Sequence, residues 1–258
     1  MSQLNQTQTA SLQGITTRYL VIGEGVDVIL LHGWGANIPL MLPLAQQLYP
    51  LGYRIHLLDL PGFGESGLPP QAWSVHDYAR HVLAYMAYQN LERVHLFGHS
   101  FGGRISIVLG ANHGIHIGKI VLCDAAGVKP RKAWYNHLLL SVYRWVKHVL
   151  PDHPLVKQLQ TAYRNRVGSA DYLQAGALKA TFLAVIDEDL LPLASKIRQP
   201  TLLVWGTADQ DTPLWQAKKL EATIPNAGLV TLEGAGHYSY LDRLLDVTRI
   251  VDYFYKHD

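Results

Sequence analysis

Apolar and polar positions fall into blocks along this chain, and each block reads as one structural element. Val28-Ile29-Leu30-Leu31 is an unbroken apolar run, as expected of a strand covered on both faces. It belongs to a strand over residues 26–31. A second strand over 18–22 precedes it across Gly23-Glu24-Gly25, a spacing that predicts a hairpin. A helical segment follows over 39–49, then an apolar strand over 53–59. Residues 75–89 are helical in period, with Ser74 as N-cap and Tyr78, Val82, Tyr85 and Met86 on one face. Strands over 94–97 and 119–123 enclose a helix that runs from Arg104.

After Asp124 the alternation stops. Residues 128–189 read as helices separated by Pro151, Pro154 and Gly168. It resumes with strands over 201–205 and 229–233, a helix over 215–223, and a last helix over 242–255. Strands alternating with helices predict an α/β fold: a mostly parallel central sheet with helices on both faces. The expected division is a core formed by 1–127 and 196–258, interrupted by a helical cap insertion over 128–195.

The junction at Gly98-His99-Ser100-Phe101-Gly102 is a G-x-S-x-G pattern between a strand and a helix. Such a turn strains its central residue and projects the serine Oγ from the carboxyl end of the strand. Glycines flank it because side chains there would collide as the two arms fold back. Ser100 is the expected nucleophile. The amide of Phe101, at a helix N-terminus, is placed to donate to an oxyanion.

A serine nucleophile needs a base, and the base needs an orienting acid. Thirteen histidines make composition useless for the choice. Position selects His237, in Glu233-Gly234-Ala235-Gly236-His237-Tyr238, directly after the last strand. His32 also follows a strand but opens a glycine loop, where a loop-supporting role is expected. For the acid, the loop after Trp205 offers Asp209 and Asp211, either of which would also serve as a turn former. Asp59 and Asp124 follow strands too. Asp59 is expected to fix a turn, and Asp124 is a lesser candidate for the acid.

Composition narrows the classes. Apolar residues make up 48% and charged residues 16% of 258, which describes a globular chain with a large core. A formal net charge of +2 does not suggest nucleic-acid binding. Cys123 is the single cysteine, so neither an intrachain disulfide nor a multi-cysteine metal site is available. The first fourteen residues lack a basic segment followed by an apolar one, and no apolar stretch approaches the ~18 residues of a membrane span. A cytoplasmic location without stable membrane insertion is expected. Residues 129–198 hold eleven Lys/Arg against five Asp/Glu, a net of +6 that leaves −4 for the rest.

The order Ser, Asp, His along the chain, with His32-Gly33-Trp34-Gly35, Asp59-Leu60-Pro61-Gly62-Phe63-Gly64-Glu65-Ser66, Gly98-His99-Ser100-Phe101-Gly102-Gly103 and Gly236-His237, resembles the capped α/β-hydrolases. The resemblance covers residues 15–256 apart from the cap. It implies Asp209 as the acid, through Gly206-x-x-Asp209-x-x-x-Pro213, and the amides of Trp34 and Phe101 as the oxyanion hole. It implies no metal or organic cofactor. One departure is visible: Arg243 follows Asp242 where such enzymes often carry proline. Serine at the elbow excludes relatives that use aspartate there. His99 before the serine resembles esterases and lipases, whereas C–C bond hydrolases often carry asparagine.

A tentative pocket comprises His32, Gly33, His99, Trp134, Tyr143 and Tyr238. Apolar spacing around Trp134 and Tyr143 is otherwise that of helix packing. The expected activity is hydrolysis of a small-to-medium hydrophobic carboxylic ester. Alternatives are a C–C bond, amide or lactone hydrolase with the same triad, or a ligand receptor on this fold.

Overall fold

The computed structural model describes residues 6–129 and 175–257. The chain divides into two compact units, residues 1–129 with 183–258, and residues 130–182. The larger unit is built on an eight-stranded sheet in the order β1-β2-β4-β3-β5-β6-β7-β8. Its strands are β1 (Gln8–Leu12), β2 (Ile15–Ile22), β3 (Val26–Leu31), β4 (Tyr53–Leu58), β5 (Val94–His99), β6 (Ile117–Cys123), β7 (Thr201–Gly206) and β8 (Ala227–Leu232). β1 and β2 are antiparallel to their neighbours, and every pairing from β4 to β8 is parallel. Among the described residues the α-helices, in chain order, are α1 (Ile38–Leu48), α2 (Val75–Tyr88), α3 (Phe101–Asn112), α4 (Lys179–Asp187), α5 (Leu191–Ala194), α6 (Trp215–Thr223), α7 (Ser239–Asp242) and α8 (Leu244–Lys256).

The apolar runs became the central strands. Every residue of β6 and β7 is buried, as are the last four of β3. α2 starts where Ser74 was expected to cap it, through a capping box in which Ser74 and Asp77 exchange hydrogen bonds with each other's backbone N–H. Its expected face of Tyr78, Val82, Tyr85 and Met86 is buried. α8 buries Val247, Val251 and Tyr255 at a spacing of four, and the Tyr255 hydroxyl donates to the carbonyl of Leu96 at 2.9 Å. That bond ties the last helix to the elbow strand.

Two expectations are corrected. β2 and β3 do not form a hairpin, because β4 lies between them. Gly23 and Gly25 have φ of 80° and 114°, and a Cβ on either would strike the carbonyls of Tyr53 or Gly52. The glycine loop therefore packs tightly across the start of β4 instead of making a tight turn. The polar N-terminal stretch holds an edge strand, β1, joined to β2 by Gln13 and Gly14, both at positive φ. The expected last helix over 242–255 is present as α8 over 244–256; the short α7 precedes it across Arg243, whose φ of −130° and ψ of 48° are not helical.

Candidate active site

The candidate catalytic side chains stand on three loops at the carboxyl ends of parallel strands. Ser100 follows β5 with φ 48° and ψ −107°. A non-glycine residue in that region stores roughly 1–3 kcal/mol of strain, held here by close packing. A Cβ on Gly98 would lie 2.4 Å from Ser106 Oγ, and one on Gly102 would lie 2.1 Å from the Leu31 carbonyl oxygen. Both glycines are thus steric requirements of the turn.

His237 Nε2 lies 3.0 Å from Ser100 Oγ, and its Nδ1 lies 2.9 Å from Asp209 Oδ2. A carboxylate only accepts, so Nδ1 carries the proton and Nε2 presents its lone pair to the serine hydroxyl. Asp209 receives four donors: His237 Nδ1–H, the Thr212 hydroxyl at 2.6 Å, and the amides of Asp211 and Thr212. Burial alone would raise its carboxyl, but the bonds from His237 and Thr212 outweigh that and hold it below the usual range. Burial likewise pulls the His237 imidazole down, and the hydrogen bond and charge of Asp209 outweigh it, with a net rise above 6.5.

Asp211 is exposed and contributes its backbone amide; the carboxylate that accepts the amides of Asp211 and Thr212, and so forms the turn, is that of Asp209, which also faces His237. Asp124 is fully buried, and its oxygens accept the amides of Gly206 and Ser239 instead of approaching His237 Nδ1. Asp59 fixes a turn as expected, accepting the amides of Ile38 and Glu65. Asp209, Asp211 and His237 each place a potential metal ligand within 4.8 Å of the others, on atoms that largely serve these hydrogen bonds already.

The tentative pocket needs correction. His32 is fully buried; its Nδ1 donates to the Gly33 carbonyl at 2.7 Å and its Nε2 accepts the Leu60 amide at 3.0 Å. Burial lowers its pKa, consistent with a neutral ring braced between two loops. His99 is 1% exposed, donates from Nε2 to the His237 carbonyl at 2.8 Å, and is held down to about 3 chiefly by burial. Gly33 is buried against the His99 ring, where a Cβ would lie 2.9 Å from Nδ1. These three residues frame the site from behind. Tyr238 is exposed beside His237, and Trp134 and Tyr143 lie outside the described residues. Sequence reasoning missed Thr212; the spacing Asp209-x-x-Thr212, in which an Asp side chain caps nearby amides, is the signal that would have found it. It also missed Phe63, whose ring meets Trp34 edge-on at 4.8 Å.

A family model described as the alpha/beta hydrolase family matches residues 28–249. The chain belongs to this family. It is 28% identical to a pimeloyl-[acyl-carrier protein] methyl ester esterase of Aeromonas salmonicida, with 90% of this chain and 96% of the relative covered. It is 27% identical to a 2-hydroxy-6-oxononadienedioate/2-hydroxy-6-oxononatrienedioate hydrolase of Comamonas testosteroni, with 93% of each covered. Among solved structures it is similar to an esterase from Exiguobacterium antarcticum, with TM-score 0.76, 25% identity, and coverage of 96% and 99%. This α/β-hydrolase has, among its described residues, no helix long and apolar enough to cross a membrane.

Proposed function

We propose that this hydrolase cleaves small-to-medium hydrophobic carboxylic esters through an acyl-enzyme on Ser100. The observation that carries the proposal is the continuous relay Asp209–His237–Ser100, with links of 2.9 and 3.0 Å and the proton on the acid-facing nitrogen. Ser100 Oγ attacks the ester carbonyl while its proton passes to His237 Nε2. The imidazolium is stabilised by Asp209 and returns the proton to the departing alkoxide. Water then adds to the acyl group with His237 as base, and the carboxylic acid leaves.

The amides of Trp34 and Phe101 serve as oxyanion donors. Phe101 is the first residue of α3, where an N–H has no intrahelical acceptor. Trp34 lies in the loop after β3, which pairs directly with β5, and a Cβ on Gly33 would come within 3.3 Å of Ser100 Cβ. Loss of one such donor costs about 2.7–4 kcal/mol in barrier. The partly exposed Trp34 ring, packed edge-on against the buried rings of Phe63 and Phe101 at 4.8 and 5.4 Å, favours an apolar substrate group. Esterases among the relatives agree with this reading.

A second reading keeps the triad and changes the bond to C–C, in line with the Comamonas relative's name; His99 in place of asparagine before the serine weighs against it. Hydrolysis of p-nitrophenyl esters from acetate to laurate, with Ser100→Ala in parallel, separates the two. The ester reading expects turnover by the wild type with an optimum at short or medium acyl chains, and none by the variant. A folded wild type inactive on the whole series contradicts it.

A further inference from the structure

One buried carboxylate at this site takes no part in the proposed chemistry. Asp124 follows β6 at φ 44° and has no exposed surface. Its Oδ1 accepts the Gly206 amide at 2.8 Å and its Oδ2 accepts the Ser239 amide at 3.0 Å. Gly206 ends β7 and opens the loop that carries Asp209. Ser239 opens α7, two residues after His237. The backbone of Asp124 joins in: its N–H donates to the Val204 carbonyl at 3.0 Å, and its own carbonyl lies 3.0 Å from Thr212 Oγ1. That hydroxyl has one hydrogen and also reaches Asp209 Oδ2 at 2.6 Å, the shorter contact and the charged acceptor.

We infer that Asp124 is a positioning residue, a single carboxylate that locks the acid loop and the histidine loop to each other. The inference rests on the reading of Ser100, His237 and Asp209 as a triad. Asp209 and His237 come from loops on adjacent strands, and their 2.9 Å bond depends on the separation of those loops. β8, which feeds the histidine loop, is the edge of the sheet and pairs only with β7 among the described strands. Strand pairing therefore restrains that loop from one side. Two amides converging from two loops require an acceptor-only group with two oxygens, and an ionised aspartate supplies it. Asparagine of the same shape turns an NH2 donor toward one of the two amides, leaving that amide unpaired.

The test compares Asp124→Asn, Ser239→Pro and Ser239→Ala with the wild type. Ser239 is the first residue of a helix, where proline is tolerated, so Ser239→Pro deletes the amide N–H and keeps Asp124. Ser239→Ala keeps the N–H and both amide bonds to Asp124, and removes the hydroxyl, which lies 3.4 Å from Cys123 Sγ and also hydrogen-bonds the Asp124 carboxylate. Three readouts are taken at mildly alkaline pH: the low-field proton resonance of His237 Nδ1–H, the rate of Ser100 labelling by a fluorophosphonate, and kcat and KM for p-nitrophenyl butyrate.

Asp124→Asn and Ser239→Pro are expected to lose or broaden the resonance. Labelling and kcat fall on the order of 10²-fold, the scale of a 1 Å misplacement, with KM nearly unchanged. Ser239→Ala, in which both amides still reach Asp124, keeps the resonance and loses far less labelling than Ser239→Pro. An intact resonance and normal labelling in Asp124→Asn or Ser239→Pro overturn the inference, as does an equal loss in Ser239→Ala. Where Asp124→Asn fails to fold, Ser239→Pro decides. A wild type that labels at Ser100 but hydrolyses no ester sinks the esterase reading, and the resonance and labelling still decide the role of Asp124.

Discussion

His237 Nδ1 and Asp209 Oδ2 sit 2.9 Å apart, and that pairing sets both the tautomer and the basicity of the histidine. The carboxylate raises the imidazole pKa above its ordinary 6.5 despite burial. In the proposed mechanism His237 acts as a base only when neutral, so kcat/KM is expected to rise with pH through an acidic limb centred above 6.5. Asp209→Asn removes the stabilising charge, so its limb moves to lower pH and its kcat falls on the order of 10⁴-fold. A pH–rate profile of both proteins checks the direction.

Thr212 donates to the same carboxylate at 2.6 Å. Thr212→Val removes this bond while keeping the volume close. The acid loses one donor, its pKa moves up, and the histidine loses part of its support. A drop in kcat of roughly 3- to 10-fold is expected, equivalent to the ~1 kcal/mol of a typical hydrogen bond. Steady-state kinetics on one ester suffice.

His99 supports the site from below, through its bond to the His237 carbonyl at 2.8 Å. His99→Leu removes the donor to that part-buried carbonyl, at a cost of about 1 kcal/mol in folding stability. Urea denaturation measures it, and kcat is expected to fall in the same variant.

Away from the site, Ser74→Ala removes one half of the capping box on α2. The loss is about 1 kcal/mol, with activity unchanged. Thermal and urea melts report the first, and ester turnover the second.

The sequence showed some parts of this molecule more plainly than others, for physical reasons. Buried runs such as those in β3 and β6 are visible because a strand covered on both faces has no polar position to confuse the pattern. The elbow is legible because its geometry admits only small residues at Gly98 and Gly102. Strand order was not, since Gly23-Glu24-Gly25 suits a hairpin as well as a loop packed over β4. β1 escaped notice because only Ala10 and Leu12 of its five residues are buried. Asp124 was visible as an acid at a strand end, but only coordinates show that its oxygens face amides instead of the histidine. His32 and His99 were placed in the pocket because a position beside the nucleophile does not reveal which way a ring turns.

Acyl-enzyme chemistry places a covalent acyl group on Ser100 during turnover. The wild type is mixed with p-nitrophenyl butyrate, quenched in acid within the first turnovers, digested, and the peptide containing Ser100 is weighed. A butyryl increment on that serine is expected, absent from Ser100→Ala. An active enzyme that never carries the increment, at quench times spanning the approach to steady state and under conditions where release of the acyl group is slowed, contradicts acyl-enzyme chemistry on Ser100.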